Sequence, residues 1–501
     1  MKIYPLLIIA VLLSNNDVFA QQKFNSDELQ KDLTILGDIT IGVSPKLTEE
    51  ERQRIDQLVQ KKKASLEGKM LTTMSFFNFL SEVDFQTKFD EHASLGLTEE
   101  VLIPLLTKSK LFPLPIKIIG NKVVVNSSDA EVPFGSIIRA INGTSINDIL
   151  EPFIKHDDDT FAKRRLESQF SLAHLIKQGS FETFQIDYTA PSNPDENLQK
   201  TVAGIDFGTY RNVFSETVFP LHRDKLQNLI NTHLYEKDRT YYLQLNSFNW
   251  DSEIKQGLFN FLSTGHKSFD KKFNDIFKEI SDSKAENLII DLRFNMGGNV
   301  KVPGVLYSYI AQNTFTEDIS VAIQDFEIPN KEYVTKISGD KVGNAKEVGK
   351  FIKRYQKYFT PEGDSRYVWA IVDNETRQPS KNAFKGKVYL LVGGNSVSAS
   401  AYFAALFKSQ KRGVIIGEQM GGSYLSLSAG QILTYQLPTT KIELETPIME
   451  VNFSDQLYQN IKTDRVAPDV KFEEDEHYQY FVLKKDIAVE KVMEQIRLGS
   501  Q

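Results

Sequence analysis

The chain has 501 residues, of which 41% are hydrophobic and 25% are charged, and its formal net charge at pH 7 is -7. This length favours two or three domains, and the composition is typical of a globular protein. Acidic and basic residues are mixed along the chain, without a Lys- or Arg-rich stripe that carries interleaved aromatic residues, so a nucleic-acid partner is not expected. The absence of cysteine excludes thiol catalysis, disulfides and Cys-based metal sites.

The first 20 residues have the pattern of a secretory signal peptide. Lys2 precedes an apolar run from about Tyr4 to Leu13, and a polar stretch then ends in the small residue Ala20. The run is shorter than the roughly 18 apolar residues that a membrane-spanning helix needs, and no later segment reaches that length. The pattern predicts cleavage after Ala20 and export to the periplasm or the extracellular space, with no membrane span in the mature protein.

Residues 21–110 are expected to form an N-terminal helical region. The segment SPKLTEEERQRIDQLVQKKKASLEG offers a Ser/Thr start, acidic residues in the first turn and basic residues later, which is the order typical of a helix. A second helix is expected in TTMSFFNFLSEVDFQTKF, and the chain breaks after it at DEHASLGLTEE.

Residues 111–200 are expected to form a small β domain. Short apolar strands occur in FPLPIKIIGNKVVVN, VPFGSIIRAINGTSIND and FETFQIDYTAPSN. The Phe134-Gly135 turn before SIIRAI, and Asn142-Gly143 before the next strand, resemble those of a PDZ-type module, although other small β domains show similar turns. A PDZ domain accepts an extended peptide as an added strand. The resemblance therefore implies a domain that presents a peptide end to the rest of the protein.

Residues 201–501 show an alternation of strands and helices. From about Tyr241, strands are expected in TYYLQLNSF, NLIIDLRF, VYLLV and GVIIG, and helices near FDKKFNDIFKEISDSK and VPGVLYSYIAQ. Buried apolar runs that alternate with helices predict an α/β fold with a mostly parallel sheet covered on both faces. The polar and aromatic residues 325–385 are expected to be an insertion, either a cap over the site or a solvated excursion.

One strand ends in a glycine turn. Functional groups gather at the carboxyl ends of strands in open α/β sheets, and IDLRFNMGGN places Gly297 and Gly298 at such an end. Without a Cβ atom, their backbone N–H groups are accessible, as an oxyanion hole requires. A glycine turn before a helix is also an ordinary structural feature. Asp291 and Arg293, two charges in this strand, are expected to pair with each other.

A second strand leads to three alternating serines in VYLLVGGNSVSASAYFAALF, residues 388–407. A strand, a Gly-Gly-Asn turn and a helix from about Ser396 place serine at a helix N-terminus, which favours an anion. Ser396 is the natural N-cap of that helix. Helical geometry turns Ser398 about 200° away from Ser396 and Ser400. Ser398 or Ser400 remains as the candidate nucleophile.

A serine nucleophile needs a base to remove its proton. Most of the histidines lie in polar or charged surroundings and are expected at the surface. His92, in the break after an aromatic-rich helix, is not distinguished by spacing alone. The seven histidines of the chain are His92, His156, His174, His222, His233, His266 and His477.

Together, NLIIDLRFNMGGN and VYLLVGGNSVSASAYFAALFKSQKRGVIIGE resemble the C-terminal processing (tail-specific) serine peptidase family. The shared pattern is a strand with Asp-Leu-Arg, an Asn-x-Gly-Gly turn, and a later Ser-x-Ser-x-Ser segment before Gly-Glu. The resemblance implies a Clp protease/crotonase-like core after a helical region and a PDZ-like domain. It implies that Ser398 is the nucleophile and that Gly297 or Gly298, with the N–H of Ala399, forms the oxyanion hole. No metal or cofactor is implied.

The group that would activate the serine departs from the tail-specific branch. There a lysine follows the Gly-Glu strand end, but GEQMGGS has Ser423 in this position, so a Ser-Lys dyad is not expected, and Lys441 on the next strand is only an alternative to it. The tricorn-like branch instead uses a histidine from the region before the PDZ-like domain, and FDEHASL makes His92 the favoured general base. That branch also has a late glutamate, where IKTDRVAPDV shows Lys462, so either Asp464 orients His92 or the third member of the triad is absent.

The sequence therefore predicts an exported serine peptidase that cleaves peptides or protein tails through an acyl-enzyme on Ser398. Since both the lysine and the late glutamate of the family are missing, an alternative remains. The same scaffold could bind peptides or apolar ligands without cutting them.

Overall fold

The structure is a computed structural model that describes residues 22–44, 47–81, 93–128, 130–154, 159–213, 224–249, 266–363, 366–453, 457, 460–463 and 465–498. The predicted signal peptide, His92 and Asp464 lie outside these described residues. The described part has the predicted α/β fold: a mostly parallel sheet forms its core, and further domains are attached to it. Within this part, no helix is both long enough and apolar enough to cross a bilayer.

Helices dominate the N-terminal region, as predicted. Two of them begin at capping boxes, in which the N-cap and the third helical residue exchange hydrogen bonds: Asn25 with Glu28, and Thr48 with Glu51. The elements are β1 (Lys23–Phe24), α1 (Ser26–Val43), α2 (Glu49–Ala64), β2 (Leu71–Thr72), α3 (Thr73–Ser81), β3 (Ser94–Leu97) and α4 (Glu99–Lys108).

A buried carboxylate ties α1 to the rest of the protein. Asp32 accepts hydrogen bonds from the backbone N–H of Thr439 at 3.1 Å and of Thr440 at 2.8 Å, and from the Thr440 hydroxyl at 2.6 Å. These three donors compensate the loss of water around the buried charge. The apolar face of α1, with Leu33 and Ile39, joins the main hydrophobic core. The helical region is thus packed into the core and not loosely appended to it.

An antiparallel sheet forms a separate small β domain, residues 111–205, closed by a bridge between Leu111 and Ile205. Its strands lie in the order β4-β5-β6-β8-β9, with β7 paired to β6, around a hydrophobic core of its own. Asn142 and Gly143 both have positive φ, as a tight turn between β6 and β7 requires. The elements are β4 (Ile116–Ile119), β5 (Lys122–Val125), β6 (Ile137–Ile141), β7 (Thr144–Ser145), α5 (Ile146–Leu150), α6 (Thr160–Gln178), β8 (Thr183–Ala190) and β9 (Asn193–Ala203).

The following elements build the parallel sheet, a second sheet and the C-terminal helices. In chain order they are α7 (Phe207–Val213), β10 (Ile230–Tyr235), β11 (Thr240–Leu245), α8 (His266–Asp282), β12 (Asn287–Asp291), α9 (Val302–Ser308), β13 (Phe315–Ile323), β14 (Val334–Ile337), β15 (Asp340–Lys341), α10 (Ala345–Lys353), β16 (Thr360–Pro361), β17 (Tyr367–Arg377), β18 (Lys387–Val392), α11 (Ala399–Ser409), β19 (Val414–Gly417), β20 (Ser426–Gln436), β21 (Ile442–Phe453), β22 (Val470–Lys471), α12 (Glu474–Val482) and α13 (Ile487–Leu498).

The parallel sheet has the strand order β10-β11-β12-β18-β19-β22, and all its pairs are parallel except β10 with β11. A row of fully buried residues crosses it in register, from Leu243 to Ile290, Leu390 and Ile415. These side chains face the main core, whereas the alternate residues of the same strands pack with α13. Both faces are therefore covered, which explains why the strands are apolar throughout.

Residues 325–385 are built into a second sheet. This eight-stranded antiparallel sheet has the order β15-β14-β20-β21-β13-β17-β16, with β3 paired to β21. The segment follows β13 and returns before β18, so it is inserted between strands of the parallel sheet, but its strands β14 and β17 pair with β20 and β13. Its polar composition reflects an antiparallel sheet with one face toward water and is not that of a solvated excursion.

The helix α12 fastens the small β domain to the core. The ring of Phe481 stacks on that of Phe134 with centroids 4.9 Å apart, and the Tyr478 hydroxyl donates to the carbonyl of Gly135 at 2.8 Å. The aromatic residue and the glycine of the predicted Phe-Gly turn therefore both serve this contact. The small β domain is held by apolar packing as well as by hydrogen bonds.

His174 of α6 gives the small β domain a testable pH dependence. Its ring lies among those of Phe112, Phe170, Phe181 and Phe184, and burial lowers the pKa of His174 to about 4. The unfolded chain takes up this proton near pH 6.5, so the free energy of unfolding falls as the pH drops from there toward 4. The loss from this one group is about 2 kcal/mol at pH 5.

We expect His174→Phe to remove this contribution. In urea titrations, the decrease in the unfolding free energy between about pH 7.5 and pH 5 should be about 2 kcal/mol smaller in the variant than in the wild type. The same decrease in both chains would contradict the assignment of a buried neutral imidazole.

Candidate active site

Two turns meet at the carboxyl edge of the parallel sheet. They are the glycine turn, residues 294–298 after β12, and the serine turn, residues 393–398 before α11. The strands β12 and β18 pair in parallel with Asp291 opposite Leu391, and the N–H of Leu292 donates to the carbonyl of Leu391 at 2.9 Å. Because neighbouring parallel strands end at the same edge, the two turns lie side by side.

A buried asparagine shapes the glycine turn. Asn295 Oδ1 accepts a hydrogen bond from the N–H of Gly297 at 2.8 Å, and φ is 93° at Gly297 and 141° at Gly298. Both values lie in the region that favours glycine. The amide of Gly297 is thus occupied. The amide of Gly298, by contrast, has no hydrogen-bond partner among the residues that the structure describes.

The glycine turn touches the serine turn so closely that no side chain fits between them. A Cβ atom on Gly297 would lie 2.8 Å from Cβ of Ser398 and 2.9 Å from the backbone nitrogen of Ala399. Distances this short between nonbonded atoms require the neighbours to move. Glycine at position 297 therefore permits the contact that sets the glycine turn against the start of α11.

The expected role of Ser396 as a helix N-cap is wrong, because α11 begins three residues later, at Ala399. The Ser396 hydroxyl instead donates to the carbonyl of Leu292 at 2.7 Å and accepts from the N–H of Gly393 at 3.0 Å. Its side chain is fully buried. Ser396 therefore joins the end of β12 to the serine turn and is not free to react.

Ser398 occupies the N-cap position of α11 in a strained conformation. Its φ is 57° and its ψ is -128°, and its side chain makes no capping hydrogen bond. Such a backbone conformation costs a non-glycine residue about 1–3 kcal/mol and persists only where the surroundings enforce it. The residue is 4% exposed, and its hydroxyl has no hydrogen-bond partner in the described part of the chain.

Ser400 is separated from Ser398 by the geometry of α11. It is fully buried in the first turn of the helix, and its hydroxyl oxygen has no hydrogen-bond partner within the described ranges. The side chain belongs to the packing of a helix whose residues from Ala399 to Phe407 are all buried. Of the three serines, only Ser398 is slightly exposed, has a strained backbone and lies at the start of the helix.

Three polar groups thus remain available where the two turns meet: the Ser398 hydroxyl, the N–H of Ala399 and the N–H of Gly298. Among the described residues, none of them has a hydrogen-bond partner. The N-terminus of α11 adds a partial positive charge at the same place. A hydroxyl beside such N–H donors is the arrangement that acyl transfer to serine requires, because the donors stabilise the developing oxyanion.

The charged pair predicted in β12 is a buried ion pair. Arg293 contacts Asp291 at 2.6 Å and Asp486 at 2.7 Å, and the hydroxyl of Tyr242 donates to Asp291 at 2.6 Å. Burial acts to raise the pKa of Asp291, but the Arg293 guanidinium and the hydrogen bonds hold it below its ordinary value. The pair connects β12 to the start of α13 and leaves no free carboxylate for chemistry.

A second charged cluster, which the sequence analysis did not single out, borders the serine turn. Glu418 follows β19, and a Cβ atom on Gly393 would lie 3.7 Å from its Oε2. The Arg164 guanidinium of α6 lies 3.6 Å from Glu418, and His477 Nδ1 lies 3.8 Å from it. Burial lowers the pKa of His477 to about 4, so this ring is neutral at pH 7. The Gly-Glu pair after β19 was the one sequence signal for this cluster.

The structure brings together Ser398, Ala399 and the glycine turn. His92 and Asp464 lie outside the described residues. Lys441 lies in the hairpin turn between β20 and β21, next to the Thr440 that binds Asp32 of α1. In the described part of the chain, no group of three or more His, Asp or Glu side chains could hold a metal ion.

Comparison with known proteins gives a match to one family model and similarity to several solved structures. The model of peptidase family S41 matches residues 239–472, which include the sheet from β11 to β22 and both turns. Mature CPAF complexed with lactacystin is 14% identical over 94% of this chain and 99% of that chain, with a TM-score of 0.58. A CPAF variant is 13% identical over 92% and 97%, with a TM-score of 0.59. At such identities the likeness shows the fold alone. No curated protein matches the sequence.

Proposed function

We propose that this chain, a serine-type peptidase whose residues 239–472 match the model of peptidase family S41, hydrolyses peptide bonds with Ser398 as the nucleophile. The observation that carries this proposal is the strained Ser398 at the start of α11, near two amides that have no hydrogen-bond partner among the described residues. Peptide or protein substrates follow from the family. The proposal needs neither a metal nor a cofactor, because a hydroxyl, a base and an oxyanion hole suffice for acyl transfer.

The proposed oxyanion hole is formed by the N–H groups of Gly298 and Ala399. The sequence left Gly297 and Gly298 as alternatives, and the hydrogen bond from the Gly297 amide to Asn295 favours Gly298. Asn295 is fully buried, so this bond holds the turn in one conformation before a substrate arrives. Donors fixed in advance stabilise the transition state without having to reorganise.

The proposed reaction proceeds through an acyl-enzyme. Ser398 Oγ attacks the peptide carbonyl carbon while His92 takes the hydroxyl proton, and the carbonyl oxygen becomes an oxyanion. The C–N bond then breaks as His92 returns the proton to the leaving amine. Water adds to the ester with the same base, and the acid product leaves with Ser398 restored. In this scheme Asp464 orients the imidazole of His92.

A non-catalytic binding protein is the second candidate function. It is favoured by two departures from the family pattern. Ser423 stands at the position of the family lysine, and Lys462 stands at the position of the late glutamate. Without a base, Ser398 would remain a weak nucleophile and the cleft would hold peptides without cleaving them. The reactivity of Ser398 separates the two functions.

Export is the third part of the proposal. It is supported by the apolar run and the small residue at the end of the first 20 residues. N-terminal sequencing of the mature protein from the culture medium or the periplasm tests it. A mature chain that still begins at Met1 would contradict it.

Ser398 is expected to react with a fluorophosphonate probe and to carry the peptidase activity. Ser398→Ala should abolish labelling and reduce kcat on an unstructured protein substrate by about a thousandfold or more. Mass spectrometry of the labelled tryptic peptide identifies the modified residue. Ser400→Ala is the matched control. Because its hydroxyl is buried and has no partner in the part of the chain that the structure describes, we expect labelling and kcat within about threefold of the wild type.

A wild-type chain that is folded but neither labelled nor active would favour the binding protein. Labelling of Ser400, or undiminished activity of Ser398→Ala, would contradict the choice of nucleophile.

His92→Ala is expected to lower kcat by about 100-fold to 10,000-fold while the chain stays folded. In the wild type, we expect kcat/KM to rise with pH as the imidazolium of His92 loses its proton. This rise should be absent from the variant. Rates measured between about pH 5 and pH 9 check both points. Full activity of His92→Ala with an unchanged pH profile would show that another group is the base.

A further inference from the structure

The strand β4 is an edge of the small β domain, and it is the strand against which the helix α6 packs. Addition of a peptide strand to such an edge requires free backbone N–H and C=O groups that point outward at alternate residues. In β4 these residues are Ile116 and Ile118, because the carbonyl of Pro115 already points toward β5, where it accepts from Asn126. The opposite edge, β9, has exposed and mostly polar side chains along nearly its whole length.

Two side chains of α6 occupy the outward groups of Ile118. The N–H of Ile118 donates to Glu167 Oε1 at 2.7 Å, and its C=O accepts from the guanidinium of Arg164. Arg164 and Glu167 also form an ion pair with each other at 2.6 Å. Their side chains are 9% and 4% exposed, so water does not compete for these contacts. The pair thus mimics one residue of an added strand.

The chain on either side of β4 is held as well. Before it, the Ser171 hydroxyl of α6 donates to the carbonyl of Phe112 at 2.7 Å. After it, the N–H of Asn121 donates to Glu474 of α12 at 3.3 Å. The edge is therefore covered by α6 and fixed at both ends by neighbouring helices.

The covering pair is also anchored to the core. Arg164 lies 3.6 Å from Glu418, and Lys117 of β4 contacts Glu167. An incoming peptide would have to separate these buried charges, and a buried charge that loses its partner is strongly destabilising. The amide groups of a peptide strand are neutral and cannot replace either ionic partner, and a terminal carboxylate that paired with Arg164 would have to displace Glu167 or Glu418.

We propose that the small β domain does not take up peptide strands, and that this peptidase, whose activity is the function proposed above, hydrolyses internal peptide bonds without reading a free C-terminal carboxylate. The substrate class is then unfolded polypeptide, whatever its C-terminus, and the small β domain supports the core as a structural element. This differs from the sequence-based expectation of a domain that presents a peptide end.

Matched peptides test this inference in the wild-type chain. Two peptides of one sequence, one with a free acid and one with an amide at the C-terminus, should each have about 20 residues, so that the end can reach the small β domain. We expect kcat/KM values within about twofold of each other. A preference of about tenfold or more for the free acid would overturn the inference.

A binding measurement separates this test from the test of activity. The same peptides with a benzophenone near the C-terminus are irradiated with the Ser398→Ala chain, which needs no catalysis. No cross-links to residues 116–119 or 160–178 are expected, and cross-links there that require the free acid would overturn the inference. A chain that cleaves nothing but shows no such cross-links would refute the proposed activity and leave the closed edge supported.

Two variants test whether Glu167 is the covering group. Both are made in the Ser398→Ala background, and folding is checked by circular dichroism. Glu167→Ala removes the acceptor of the Ile118 N–H and should permit cross-links to β4, whereas Glu167→Gln keeps an acceptor and should not. Absence of cross-links in a folded Glu167→Ala chain would contradict the role assigned to Glu167.

Discussion

The contact between Gly297 and Ser398 is the constraint on which the candidate site depends. It exists because β12 and β18 are parallel neighbours that end at one edge, and because position 297 has no Cβ atom. Ser396 fixes the serine turn to the end of β12, and Asn295 fixes the glycine turn. Together these bonds compensate the strain at Ser398. A nucleophile in an unfavourable backbone conformation is held there by its neighbours, and this rigidity keeps it beside the amides of Gly298 and Ala399.

The second sheet contacts α11, and the N-terminal helix α1 contacts the second sheet. Tyr402 of α11 stacks on Phe453 of β21 with centroids 4.2 Å apart, and its hydroxyl donates to Glu317 of β13 at 3.0 Å. The turn between β20 and β21 in turn receives Asp32 of α1. A helix that is buried from Ala399 to Phe407 and contacts two strands through Tyr402 can present its N-terminus with little freedom. We therefore assign to the second sheet and to the N-terminal region a role in rigidity, because precise geometry at a catalytic site depends on such support.

The sequence was sufficient to predict the fold class, the parallel sheet and the two turns, because buried parallel strands are apolar throughout and glycine pairs mark their ends. It was wrong about Ser396, because a serine before an apolar helix has the pattern of an N-cap, while the positive φ of Ser398 leaves no mark in the residue order. The order of residues also did not reveal that Arg164 and Glu167 bind the backbone of Ile118, because this contact depends on how α6 packs across β4. The choice of His92 and Asp464 rests on the family pattern and stays a prediction.

The central claim is that the hydroxyl of Ser398 and the amides of Gly298 and Ala399 form one catalytic unit. The most direct test is a crystal structure of the wild-type chain after reaction with a peptidyl phosphonate. We predict a bond from Ser398 Oγ to phosphorus, with one phosphonyl oxygen within about 3.1 Å of both amide nitrogens. A phosphonyl oxygen bound instead by Gly297, with Asn295 displaced, or an adduct on another residue, would contradict the claim.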